Sequence, residues 1–213
     1  MDSAITNKED KLFRWVLVLA MLTIGYNIAE GVVATYFGLE DEALTLFGFG
    51  ADSFIETISA IGVSRMVYRI RKKPDTEKGP FEILALKITA YCFYSLGLVL
   101  VLSAIYSVIQ GHQPVSSAAG VIIAIISIFT MWALVYAKIS LGKKLNSSPI
   151  IADARCNLVC LYMSVVLLVA SGLWWLFRIP YIDVVGSLAL VYFALKEGKE
   201  ALEKAKGIHS CSC

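Results

Sequence analysis

Charge is scarce in this chain. Only 17% of its 213 residues are Asp, Glu, Lys or Arg, against roughly 25% in soluble domains. Catalytic signatures are missing as well: there is no P-loop, no dinucleotide-binding glycine pattern and no nucleophile elbow. Hydrolase and NTPase chemistry therefore has no support, and the chain reads as a non-enzyme without a cofactor. The five cysteines include no paired extracellular set, which argues against a disulfide scaffold. A net charge of +2 without a recognition motif argues against nucleic-acid binding.

What is abundant is apolar length. Apolar residues make up 58% of the chain and mean hydropathy is +0.71. Six stretches approach or exceed the ~20 residues needed to cross a bilayer, at about 14–38, 43–65, 83–109, 117–138, 149–177 and 181–196. In lipid an open chain satisfies its backbone only as helix, so an all-α protein of six transmembrane helices is expected. The domain reading follows: a segment 1–13, a six-helix membrane domain 14–200, and a short tail 201–213. The first stretch is longer than a signal-peptide core and lacks a clean cleavage site, so it is read as an uncleaved helix.

Basic residues set the expected orientation. Lys8, Lys11 and Arg14 precede the first stretch, and Arg69, Arg71, Lys72, Lys73 and Lys78 fill the link between the second and third. Lys138, Lys143 and Lys144 are assigned to the link between four and five, and Lys196, Lys199, Lys204 and Lys206 follow the sixth. The opposite links, 38–42, 111–117 and 178–181, are acidic, free of Lys and Arg, or short. The positive-inside rule then places both termini in the cytoplasm. The basic link 69–73 needs no role beyond topology or contact with anionic lipid.

Against this background two intramembrane pairs stand out, Asp52/Glu56 and Cys156/Cys160. Each has i,i+4 spacing, so both members share one helix face a turn apart. Carboxylates in hydrocarbon are costly and mark ion or proton pathways. Two carboxylates and two thiols can together hold a four-coordinate divalent metal of intermediate or soft character.

Depth allows the pairs to meet. At 1.5 Å per residue, Asp52 and Glu56 lie roughly 14 and 20 Å below one surface. Cys156 and Cys160 lie roughly 11 and 17 Å above the other. In a core of about 30 Å, Asp52 is level with Cys160, and Glu56 with Cys156. The bland alternatives are cysteines that merely pack, and acids that neutralise Arg155. A disulfide within the pair is disfavoured, because successive turns hold the Cβ atoms about 5–6 Å apart, beyond the ~4 Å required.

The segment from Ala43 through Gly50-Ala-Asp-Ser-Phe-Ile-Glu56 resembles the second helix of the cation diffusion facilitators, with Asp52 and Glu56 at its ligand positions. Ser148-Pro-Ile-Ile-Ala-Asp-Ala-Arg-Cys-Asn-Leu-Val-Cys160 is similar to the fifth helix of that family, with Cys156 and Cys160 in the ligand slots. Lys73-Pro-Asp through Gly79-Pro-Phe-Glu82 resembles the link before helix three. Lys143-Lys-Leu-Asn146 and Tyr181-Ile-Asp-Val-Val-Gly186 resemble the approaches to helices five and six. The resemblance spans about residues 12–200.

It implies efflux of zinc or related ions by alternating access against protons, usually by a homodimer. The minimal architecture suggests a bacterial inner membrane. Departures are specific. Glu56 is one methylene longer than the usual Asp, and two thiols replace the usual His/Asp of helix five. Residues 201–213 are too few to build the cytoplasmic domain common in the family, so functions attributed to that domain are not expected here.

The thiols favour Zn²⁺, Cd²⁺, Hg²⁺ or Cu⁺ over Mn²⁺, Mg²⁺ or Ca²⁺, while the retained carboxylates argue against a purely monovalent copper site. Thiols lose protons when metal binds and regain them on release, which suits antiport. Further polar residues form an outer set. Asn27 and Glu30 could line the pathway or form a packed pair, Asp153 could support the site from nearby, and Asp183 suits a helix N-terminus. His209, Cys211 and Cys213 could capture metal in the tail, or simply end the chain. Two other function classes remain open: a membrane sensor or assembly subunit that binds metal without transport, and a membrane thiol redox protein.

Overall fold

The computed structural model describes residues 7–72, 80–111, 114, 118–145 and 148–206. The described residues form six helices and no strand: α1 (Asn7–Glu40), α2 (Leu44–Lys72), α3 (Pro80–Gln110), α4 (Ala118–Lys144), α5 (Ser148–Phe177) and α6 (Ile182–Ala205). Five carry windows long and apolar enough to cross a membrane: Arg14–Glu40, Leu44–Gly62, Leu86–Gln110, Ala118–Lys144 and Asn157–Phe177. α6 is apolar in its first half only, since Lys196, Glu197, Lys199, Glu200, Glu203 and Lys204 crowd its second.

The helices outrun the apolar stretches that mark them. α1 starts at Asn7 and α4 continues to Lys144, because backbone hydrogen bonding persists past the point where apolarity ends. One assignment changes as a result. Lys138, assigned to a basic link by its charge, lies inside α4 and is buried at 3% exposure.

The surface is inverted relative to a soluble protein. Trp15, Met21, Leu98, Ile109, Phe129, Trp132 and Trp175 are among many large apolar side chains left exposed. Thr23, Asn27, Glu30, Asp52, Ser53, Asn157 and Ser164 are buried. A lipid solvent rewards this distribution, because polar groups there must find partners inside the bundle.

α1 packs chiefly on α2, α4 on α5, and α3 on α6. α2 also touches α3, α5 and α6, which makes it the central helix. Its face carrying Leu46 and Phe49 joins Leu100 of α3, Met163 and Leu167 of α5, and Leu190 of α6 in one apolar core. Small residues bring the backbones close. A Cβ on Gly50 would meet the Thr35 backbone nitrogen at 2.5 Å, and one on Gly186 would meet Thr45 Oγ1 at 2.5 Å and Ala170 Cβ at 2.7 Å. The first contact draws α1 against α2 immediately before Asp52. The second seats the start of α6 against α2 and α5.

Candidate metal site between helices two and five

α2 presents Asp52 and Glu56 one turn apart, and α5 presents Cys160 opposite them. One ligand atom from each of the three lies within 4.8 Å of the other two. Cys160 Sγ stands 3.9 Å from Asp52 Oδ2. Asp52 and Cys160 are sealed from solvent and Glu56 is half-buried. Tetrahedral ligand atoms on a zinc-type ion are about 3.3–3.8 Å apart, given bonds of about 2.0–2.3 Å, so a small contraction would close the group on an ion.

Two observations favour a cation at this position. Asp52 Oδ1 is buried without a hydrogen-bond partner among the described residues, and an acceptor left so in an apolar interior is costly. Acidic side chains also gather around the group. The charge of Glu30 reaches Asp52, Glu56 and Cys160, and that of Glu197 reaches both acids. Lys138 supplies an opposing positive field at Glu56.

The remaining sequence candidates divide by position. α5 is helical through residues 156 and 160, so no break in the helix opens a route to a disulfide between them. The side chains of Asp153, Arg155 and Cys156 lie outside the described residues, as do His209, Cys211 and Cys213. Asn27 and Glu30 are brought to the group from α1. Asn27 Nδ2 donates to Glu56 Oε2 at 3.2 Å. Glu30 accepts from the Tyr26 hydroxyl at 2.8 Å through Oε1 and from the Ser53 hydroxyl at 3.0 Å through Oε2.

Asp183 is placed elsewhere. Its carboxylate accepts the backbone N–H groups of Leu44 at 2.6 Å and Thr45 at 3.1 Å. Thr45 Oγ1 donates back to the Asp183 carbonyl at 2.8 Å. Those N–H groups open α2 and have no partner within their own helix, so Asp183 caps α2 from the first turn of α6. It holds the helix that carries the acids and does not join their cluster.

Several participants gave no signal in the sequence. Tyr26 and Ser53 matter only through Glu30. Ser127 of α4 and Ser164 of α5 share a hydrogen bond at 2.9 Å, and Ser164 also donates to the Cys160 carbonyl at 2.8 Å. Each is an ordinary hydroxyl until the helices are docked.

The chain matches the family described as the Cation efflux transmembrane domain over residues 16–206. It belongs to that family. No curated protein matches the chain. As a member of the cation efflux family it is a multi-pass membrane cation transporter, and that family is one of transporters rather than enzymes. The Asp52/Glu56/Cys160 group lies between its second and fifth helices, inside the matched region.

Proposed function

We propose that this cation efflux protein exports a zinc-type divalent ion, Zn²⁺ or Cd²⁺, from the cytoplasm by alternating access in exchange for protons. Asp52 and Glu56 of α2 and Cys156 and Cys160 of α5 are its ligands, and both termini are cytoplasmic. The carrying observation is the buried convergence of two carboxylates and a thiol within 4.8 Å, with Asp52 Oδ1 left without a partner among the described residues. Mixed oxygen and sulfur donors suit ions at the intermediate and soft end of the divalent series. These donors bind metal only after losing their protons, so loading and proton release are linked in one step, and unloading reverses both.

The test is metal uptake into proteoliposomes under an imposed pH gradient. Wild type takes up zinc or cadmium in proportion to the gradient, Asp52→Ala and Cys160→Ser do not, and deletion of residues 208–213 leaves uptake in place. Uptake indifferent to the gradient contradicts antiport. Loss confined to the tail deletion contradicts the intramembrane site.

A further inference from the structure

Glu56 is a longer ligand than an aspartate, with one more rotatable bond to fix before it can hold an ion in one geometry. The structure supplies a partner on a third helix. Asn27, fully buried on α1, donates Nδ2–H to Glu56 Oε2 at 3.2 Å. Its own Oδ1 is buried with no hydrogen-bond partner among the described residues. A carboxamide with an unsatisfied oxygen is costly where an apolar side chain would pack freely, so packing does not explain Asn27. Its bond to Glu56 does.

We infer that Asn27 is a positioning residue for the transported ion. By holding Oε2 it commits Glu56 to ligation through its other oxygen, as a one-oxygen donor. A one-oxygen Glu56 suits a compact four-coordinate zinc-type ion, whereas the larger Ca²⁺ draws on carboxylates bound through both oxygens. The orphaned Oδ1 fits the same role, as a neutral oxygen available to a water on the ion. Asn27 thereby makes α1 a wall of the site and compensates for the extra methylene at position 56. The inference rests on the proposed ion site.

The test is a double-mutant cycle on zinc binding, measured calorimetrically in detergent on full-length protein whose tail thiols Cys211 and Cys213 are changed to serine. Asn27→Ala removes the donor, and Asn27→Leu removes it while keeping the volume. Each weakens zinc binding about 10- to 100-fold, the usual effect of losing a group that orients a ligand. In a Glu56→Asp background the carboxylate is one methylene shorter and no longer reaches Asn27. There the same substitutions change affinity less than about 3-fold. Equal losses in both backgrounds, or wild-type binding by Asn27→Leu, would overturn the positioning role alone. Absence of zinc binding by the unsubstituted site overturns the ion site and this inference with it.

Discussion

Cys160 of α5 and Asp52 of α2, 108 residues apart in sequence, face each other with Sγ 3.9 Å from Oδ2 in a region closed to solvent. The thiol is placed to donate to the carboxylate, and a common cation that displaced the thiol proton would engage both as ligands. If they share the ion, replacing either removes a donor atom. Asp52→Asn and Cys160→Ser each reduce zinc affinity by more than the roughly 100-fold upper effect of an outer-shell change, as measured by calorimetry. Affinity within a few-fold of wild type would show that the pair is only packed.

Sulfur also sets the preference among ions. Cys160→Asp hardens the donor set and shifts selectivity toward Mn²⁺ relative to Cd²⁺. The check is a metal panel in transport or growth tolerance, run on wild type and variant side by side. An unchanged order of preference would mean that Cys160 does not touch the ion.

Asp183 is a scaffold residue. Its two bonds to the Leu44 and Thr45 N–H groups are lost in Asp183→Ala, with an expected destabilisation of about 1–3 kcal/mol. Thermal unfolding in detergent measures that loss. Zinc affinity at the assembled site stays within about twofold of wild type, as expected for a group outside the ligand cluster.

Gly50 permits the contact between α1 and α2 beside Asp52. Gly50→Ala would drive a Cβ to 2.5 Å from the Thr35 nitrogen and 2.6 Å from its hydroxyl. Overpacking of this kind costs about 1–3 kcal/mol, and here it also separates Asn27 from Glu56. A lowered Tm together with weakened zinc binding is the expected result. A lowered Tm alone would mean that the two helices adjust without disturbing the site.

Glu197, beyond the apolar half of α6, gives the protein a pH dependence of its own. Burial first, and the neighbouring Glu200 carboxylate second, push its carboxyl from an ordinary value of 4.5 up to about 7, opposed by Lys204 and Lys196. Between those two values the folded chain holds a proton that the unfolded chain releases, so stability falls as pH rises through the window. Glu197→Gln removes this contribution. Its Tm exceeds that of wild type at pH 8, and the difference narrows as pH falls toward 4.5. A difference that does not vary with pH would show that Glu197 is already ionised in the fold.

Much of this arrangement is legible in the amino-acid sequence alone. Apolar length marks five of the six helices, because lipid thickness sets a minimum that soluble helices need not meet, and α6 shows it only in its first half. Helical rise along antiparallel α2 and α5 puts Asp52 and Cys160 at one depth, which is where they face each other. Rotational phase is not legible. Which face of α1 meets α2 depends on how Gly50 and Thr35 dock, so the bond from Asn27 to Glu56 has no signature in either segment. Lys138 misleads for a related reason: a lysine near a helix end reads as a loop charge until the packing of α4 on its neighbours buries it. Asp183 reads as a charge favouring its own helix, whereas its bonds go to the N-terminus of α2.

X-ray absorption on zinc bound to full-length protein, with Cys211 and Cys213 changed to serine, reads the donor atoms around the ion themselves. A mixed shell is predicted, with sulfur at about 2.3 Å beside oxygen at about 2.0–2.2 Å, and with the sulfur signal reduced in Cys160→Ser. A shell of oxygen and nitrogen alone would mean that no thiol of α5 holds the ion.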